Sequence, residues 1–181
     1  MVEQKVCIAL VSGGLDSPVA VARMLREGWS IHPVHCSQEP ITGPEAEQKT
    51  IAALRYFLEI EGPLGDLARQ NLSRELTVIP VAQQLSLFTE KWCHTEYFIH
   101  MKRLYCGLGD LVGTQKGATH LLTGENLGQV SSQTLGNLGA IEMMTSLRML
   151  RPLLGIDTVS YTHLRAHETK ANLVCRLLLE K

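Results

Sequence analysis

The sequence predicts a doubly wound α/β domain, an open parallel sheet with helices on both faces. Three observations predict it. Short apolar runs without helical period alternate with amphipathic stretches along most of the chain, which is the pattern of successive βαβ units. The first apolar run stops at Ser12-Gly13-Gly14 and passes directly into a helical pattern. The chain has 181 residues, 45% hydrophobic and 19% charged, the size of one ordinary domain with enough apolar residues to bury a core, which excludes global disorder.

Lys5 to Val11 reads as a buried parallel strand. Pro18 to Glu27 follows as a helix, with Val19, Ala22, Met24 and Leu25 on one face. Ser17 is its expected N-cap, Pro18 its first residue and Gly28 its C′ residue. Ile31 to His35 is the second strand, completing a βαβ unit. Gln38 to Pro44 is a loop with two prolines, and Glu45 to Ile60 a helix with Ile51, Leu54 and Leu58 in register. Leu76 to Val81 is the third strand, Tyr97 to Gln115 a long helix, and His120 to Leu122 a short fourth strand ending at Thr123-Gly124-Glu125. Ser131 to Ile141 is a further helix and Met149 to Leu153 a last strand. Residues 1–158 are expected to form the domain. Residues 159–181 differ in kind and resemble a translated adapter sequence, so they are expected to be a foreign or artefactual tail; the alternative is a terminal amphipathic helix with Leu173, Leu177 and Leu178 on one face.

Lysine and arginine total 17 against 18 acidic residues, a net charge of −1. A nucleic-acid partner would therefore need a local patch or outside help rather than bulk charge. No apolar run approaches the roughly 20 residues of a membrane span, and no export signal is visible. Five cysteines at irregular spacing do not read as a secreted disulfide framework. The expected setting is cytoplasmic, without membrane association.

Ser12-Gly13-Gly14-Leu15-Asp16-Ser17, between a predicted strand and a predicted helix, has the makings of a phosphate cradle. Glycines let the backbone turn and approach an anion, successive N–H groups converge, and the helix N-terminus adds positive potential. The Ser12 and Ser17 hydroxyls are further donors, while a carboxylate at Asp16 implies a magnesium ion or an ordering role. The Gly-Lys-Ser/Thr ending of a Walker A loop is missing, as is the three-glycine dinucleotide pattern. The stretch resembles the SGGxDS signature of the PP-loop ATP pyrophosphatases, whose fold is of the adenine nucleotide alpha hydrolase type. That resemblance implies cleavage of ATP between the α- and β-phosphates and adenylation of a substrate.

A second stretch, Thr123-Gly124-Glu125-Asn126-Leu127-Gly128-Gln129-Val130-Ser131-Ser132-Gln133-Thr134, resembles the TGExxGQVxSQT block of the tRNA 4-thiouridine sulfurtransferase (ThiI) family. Leu150-Arg151-Pro152-Leu153 is similar to the LRPL stretch that follows it there, and Met101-Lys102-Arg103-Leu104 to a KRM-type segment before it. The block lies at the carboxyl end of a predicted strand, where open α/β sheets bind ligands. Taken without the resemblance, its polar residues also suit a capping box and a solvated helix face. With it, the expected nucleotide-binding residues are Ser12, Gly13, Gly14, Leu15, Asp16, Ser17, His35, Gly124, Glu125, Gln129, Ser132, Gln133 and Arg151. Asp16 and Lys102 are the expected catalytic groups, Lys102 as a cation facing developing negative charge. His32 and His35 are expected to pack or to line an adenosine pocket, so no protein metal-ligand set is predicted.

The resemblance implies ATP and Mg2+ as cofactors, and tRNA as the substrate whose uridine is adenylated before persulfide sulfur displaces AMP. Family members carry an N-terminal RNA-binding part with a THUMP domain; with a first strand at Val6, that part is expected to be supplied by a separate protein or domain. The family's rhodanese domain and CxxC pair are likewise not expected. Sulfur then comes from a persulfide donor protein or from internal thiols. Cys93, beside His94 and near Lys91, is the first choice and Cys106 the second, as a pair able to form and break a disulfide. Cys36 follows the second strand, at a sheet edge where the nucleotide site is expected, with a buried or incidental thiol as the alternative; Cys7, inside the first strand, reads as buried or incidental. A homodimer is a further expectation. The competing functions are a PP-loop enzyme adenylating a small molecule in thiamine or sulfur metabolism, and a non-catalytic adenine-nucleotide-binding module.

Overall fold

The structure, a computed structural model, describes residues 5–127 and 133–156. The boundary expected near residue 158, the tail after it, and the candidate residues Gln129 and Ser132 lie outside the described residues. Five strands form one sheet: β1 (Val6–Leu10), β2 (Ser30–Ser37), β3 (Thr77–Pro80), β4 (His120–Leu122) and β5 (Arg148–Leu150). Their order is β3-β2-β1-β4-β5 and every pairing is parallel. Between them run α1 (Asp16–Arg26), α2 (Glu45–Glu59), α3 (Pro63–Asn71), α4 (Ala82–Leu87), a 3₁₀ turn (His94–Glu96), α5 (Tyr97–Lys116) and α6 (Leu135–Glu142). The doubly wound architecture is the one the sequence predicts.

The alternation of side chains along β1 divides the core. Cys7, Ala9 and Val11 pack with Val21, Leu25, Leu54 and Phe57 from α1 and α2 on one face. Ile8 packs with Val34, Cys106, Leu121 and Ile141 on the other, under α5 and α6. Each fully buried side chain such as Phe57, Leu25 or Leu121 contributes about 1.5–3 kcal/mol through removal from water. The strand order reverses at β1, which has β2 on one side and β4 on the other. This opens a crevice at the carboxyl ends of the central strands.

Several boundaries differ from the sequence reading for local reasons. Ser17 is not the N-cap: α1 begins at Asp16 behind Leu15, no side chain caps it, and the Ser17 hydroxyl turns back toward Ser12. Gly28 does follow the helix with φ +76°, a conformation glycine adopts without strain. β5 stops at Leu150 because Pro152 has no N–H for a ladder bond. The short helices α3 and α4 were not predicted. α3 buries only Gly65 and Ala68, too small to give an apolar period, and α4 spans barely more than one turn.

Candidate active site

A cavity of about 580 Å³ lies over the carboxyl ends of β1, β2 and β4, within the size range of sites for small ligands and cofactors. Its floor carries Ser12, Gly13, Gly14, Asp16 and Ser17, and His35 and Cys36 line its β2 side. Lys102 and Cys106 come from α5, Thr123, Gly124 and Glu125 from the end of β4, and Gln133 from just before α6. Segments more than a hundred residues apart in sequence thus meet at one sheet edge.

The loop after β1 is held by its own serines. The Ser12 N–H donates to Ser17 Oγ at 2.9 Å, the two hydroxyl oxygens are 3.2 Å apart, and Ser17 Oγ–H reaches the Ser12 carbonyl at 3.2 Å. The Gly14 N–H points at Ser12 Oγ, 3.4 Å away. The loop therefore spends the Ser12 N–H on its own shape, and the donors left for an anion are those at the start of α1. Pro18, which has no N–H, sits in that first turn, where no helical partner is lost. Gly13 and Gly14 do not use left-handed backbone. Gly13 is needed for space, since a Cβ there would come within 2.7 Å of the Ala46 Cα in α2. Gly124 has the same role on the other side: a Cβ would lie 2.6 Å from the Ser17 nitrogen. The end of β4 is thus packed directly onto the head of α1.

Beside this cradle stands a buried charge network. Glu125 Oε1 accepts from Lys102 Nζ at 2.9 Å, and its Oε2 accepts from Arg151 Nε at 3.0 Å and from the Thr123 hydroxyl at 3.2 Å. Arg151 continues to Glu142 at 2.8 Å and to the Leu138 carbonyl at 3.4 Å, tying α6 to the site. Burial by itself would raise the Glu125 carboxyl, but the charges and hydrogen bonds of Lys102 and Arg151 outweigh it and hold Glu125 below the ordinary carboxylate value. With both oxygens engaged, Glu125 positions cations and is neither a free base nor a phosphate contact. Lys102 gives one of its three donors to Glu125 and has two for a ligand. Arg151, expected to touch the nucleotide, stands behind Glu125 and does not line the cavity; nor does Leu15. His35 is buried, and its Nδ1–H donates to the Val11 carbonyl at 2.9 Å, leaving Nε2 as the atom able to face a ligand.

The two thiols singled out in the sequence are separated. Cys106 is buried on α5, one turn past Lys102, and lines the cavity. Cys93 does not line it: it is buried before the 3₁₀ turn, with Sγ–H against the Leu87 carbonyl at 3.3 Å. The basic neighbourhood expected for Cys93 is overridden. Burial raises its pKa and Glu90 adds to the rise. From Tyr97 to Cys106 the helix alone advances about 14 Å, and both thiols are free. Cys36 lines the cavity as well, at the sheet edge where the sequence places it. Burial pushes Cys36 and Cys106 up to about 12.

The sequence reading missed the β2-side wall: Gln38, whose amide donates to the Tyr105 hydroxyl at 2.9 Å, Glu39, Thr42 and Gly43 in the loop after β2, and Glu45, Ala46, Glu47 and Lys49 at the start of α2. Their position after a strand's carboxyl end was the available signal. Among the described residues no cluster of three or more His, Cys, Asp or Glu side chains is arranged for a metal ion, and no helix is long and apolar enough to cross a membrane.

The fold and its site have counterparts. A "Probable tRNA sulfurtransferase" of Macrococcus caseolyticus (strain JCSC5402) is 34% identical over 150 residues, covering 83% of this chain and 35% of that protein. One of the same name from Staphylococcus aureus (strain Newman) is 35% identical over 151 residues, covering 83% and 34%. The chain thus spans about a third of the length of the curated relatives it matches. Among solved structures, a 4-thiouridine synthetase in complex with RNA and with bound ATP superposes with a TM-score of 0.79 at 27% identity, covering 95% of this chain and 42% of that one. A predicted subunit of tRNA methyltransferase from Methanocaldococcus jannaschii shares the fold alone, with a TM-score of 0.57 at 15% identity over 89% of this chain and 74% of that one. The sequence profile of the family described as "Thiamine biosynthesis protein (ThiI)" matches residues 2–169, and with the cradle, the Lys102–Glu125–Arg151 network and the sheet order in place, the chain belongs to the ThiI family.

Proposed function

We propose that this chain is the adenylating domain of an ATP-dependent tRNA sulfurtransferase that makes 4-thiouridine. The observation that carries the reading is the meeting, in one cavity, of an anion cradle at the head of α1 with a positioned cation, Lys102, on α5. The ATP bound in the related synthetase–RNA complex supports it.

The pyrophosphate part of ATP would lie against the N-terminal donors of α1, and Asp16 would hold magnesium there, since one carboxylate, phosphate oxygens and waters suit that ion. Held there, magnesium would supply charge neutralisation for the pyrophosphate oxygens. Lys102, kept in place by Glu125, faces the charge that develops at the α-phosphate, where a pre-oriented cation lowers the barrier. The uridine O4 attacks the α-phosphorus, the bond to the β-phosphate oxygen breaks with its electron pair leaving on pyrophosphate, and the N3 proton goes to solvent. The terminal sulfur of a persulfide on the donor protein then attacks C4 and AMP leaves, joining donor and base through an S–S bond. A second thiol of the donor protein attacks the donor-side sulfur and forms a disulfide with it, and the electron pair of the broken S–S bond leaves on the sulfur of 4-thiouridine. Cys36 and Cys106 are held as neutral thiols by burial and Cys93 is outside the cavity, so the reading takes sulfur from a persulfide donor protein. Its other partners are an RNA-binding protein or domain and a second copy of the chain, in the cytoplasm where tRNA and ATP occur together.

ATP–pyrophosphate exchange, run with and without unmodified tRNA, tests the proposal. Exchange that needs tRNA is the expected result. Exchange with a small acceptor instead assigns the site to small-molecule adenylation, and nucleotide binding without exchange makes it a binding module; either result overturns the proposal.

A further inference from the structure

The helix α5 carries the cavity wall past the end of the sheet. Gly113 lies against Ile8 and Gly109 against Leu10, so α5 runs antiparallel to β1 and its earlier residues stand beyond that strand's carboxyl end. Lys102 and Tyr105 line the cavity there. Phe98 precedes Lys102 by four residues and Tyr105 by seven, spacings that put all three on one face of the helix. Phe98 is one turn, about 5.4 Å, farther out than Lys102. The lining of the cavity thus continues onto Phe98 at its mouth.

The Phe98 ring is 60% exposed and stands in T-shaped contact with Tyr97, centroids 5.3 Å apart and planes at 83°. Among the described residues the other exposed large apolar side chains are aliphatic, apart from Trp92, 78% exposed in the loop before α5. A single exposed apolar residue needs no explanation. Two aromatic ones at the same end of α5, one of them in line with Lys102, do. From Glu90 to Lys102 the charged and titratable residues are Lys91, His94, His100 and Lys102 against Glu90 and Glu96, and Glu96 lies 3.6 Å from His100. Basic groups interleaved with rings, without a surplus of acid, suit a phosphate backbone held more by stacking than by charge.

On the function proposed above, a nucleobase must pass this mouth. A uridine in folded RNA is stacked on its neighbours, and chemistry at its O4 requires taking it out of the stack at a cost in free energy. Stacking the extruded base on an aromatic side chain offsets that cost. Lys102 faces the reacting phosphate, so the ring whose O4 attacks that phosphate comes to rest beside this stretch of α5. We propose that Phe98 is a positioning residue for the acceptor base, its ring stacking on the extruded uracil in place of the neighbours the base leaves behind. The inference rests on the function proposed above and adds the residue that receives the substrate.

The test measures tRNA-dependent pyrophosphate release at varied tRNA for wild type, Phe98→Ala, Phe98→Leu and Phe98→Trp, with ATP affinity by equilibrium dialysis. Phe98→Ala and Phe98→Leu are expected to raise KM for tRNA about five- to hundredfold, the range for losing one base–aromatic stack, with ATP binding within about twofold of wild type. Phe98→Trp is expected to keep the wild-type KM, because an indole stacks on a base and an apolar leucine does not. An unchanged KM in Phe98→Ala overturns the inference, and so does a wild-type KM in Phe98→Leu, which would mark an apolar contact without stacking. With KM unchanged, a fall in molar mass by light scattering in Phe98→Ala assigns the ring to a second copy of the chain. Slower thiolation from a persulfide donor protein at unchanged pyrophosphate release assigns it to that donor instead. A wild-type protein that shows no tRNA-dependent release overturns the proposed function, and this inference with it.

Discussion

Asp16 opens the first turn of α1 and lines the cavity, as does Glu125, whose oxygens accept from Lys102, Arg151 and Thr123. Substitution should separate the roles of the two acids. Asp16→Asn is expected to leave the thermal midpoint near that of wild type and to lower exchange by two or more orders of magnitude, the effect of removing one pre-oriented electrostatic group; an unchanged exchange rate removes Asp16 from the chemistry. The thiols give a second contrast. Cys93→Ser and Cys106→Ser, assayed for thiolation with a persulfide donor, should both run within about twofold of wild type if sulfur arrives from another protein. A collapse of the rate in Cys106→Ser alone would make the thiol beside Lys102 a sulfur carrier, despite the burial that pushes it to about 12.

The cradle depends on how closely α1, α2 and the end of β4 approach one another. Gly13 meets the backbone of Ala46 in α2, Gly124 meets the backbone of Ser17 in α1, and Gly14 meets only the Ser12 hydroxyl at 3.4 Å. Backbone cannot rotate out of the way as a side chain can. Gly13→Ala and Gly124→Ala are expected to cost about 1–3 kcal/mol each, as overpacking does, lowering the thermal midpoint by about 2–10 °C in a chain of this size and weakening ATP binding. Gly14→Ala should stay within about 0.5 kcal/mol of wild type. Equal destabilisation by all three would place the strain elsewhere in the loop.

At the level of the whole molecule, buried ionisable groups set the pH limits of stability. Glu125 is held below its ordinary value of 4.5: burial raises it, and Lys102 and Arg151 more than compensate. Its contribution is therefore present above that value and lost as pH falls through the depressed folded value. Burial moves Cys7, Cys36 and Cys106 the opposite way, from 9.0 to about 12. Their neutral forms favour the folded state, so stability is full below pH 9 and declines from there toward pH 12. Urea midpoints measured from pH 7 to 11 should fall above pH 9, and less steeply in Cys106→Ala than in wild type; parallel curves would exclude that thiol as a contributor. The charge balance of 17 basic against 18 acidic residues bears on RNA. The chain alone is expected to bind tRNA weakly with a shallow dependence on salt, and a steep dependence in filter binding would reveal a basic face.

Local signals made much of this legible in the sequence. The apolar runs gave β1, β2 and β4 nearly to the residue, because a strand buried on both faces has no polar alternation to blur it. Ser12 to Ser17 announced an anion cradle because its residue types carry the chemistry themselves. Cys93 showed the limit of such reading: its neighbours in sequence are basic, yet it is buried against the Leu87 carbonyl with Glu90 beside it. Arg151 showed it again, since only the fold places its guanidinium against Glu125 and outside the cavity lining. The close contact of Gly124 with Ser17 has no sequence signature, because it arises where segments over a hundred residues apart are brought together. The sequence by itself determined the order of elements and the chemistry of the cradle, which depend on neighbours along the chain. The tertiary structure alone decided which charged and polar groups face the cavity, because burial and pairing are properties of the space between elements.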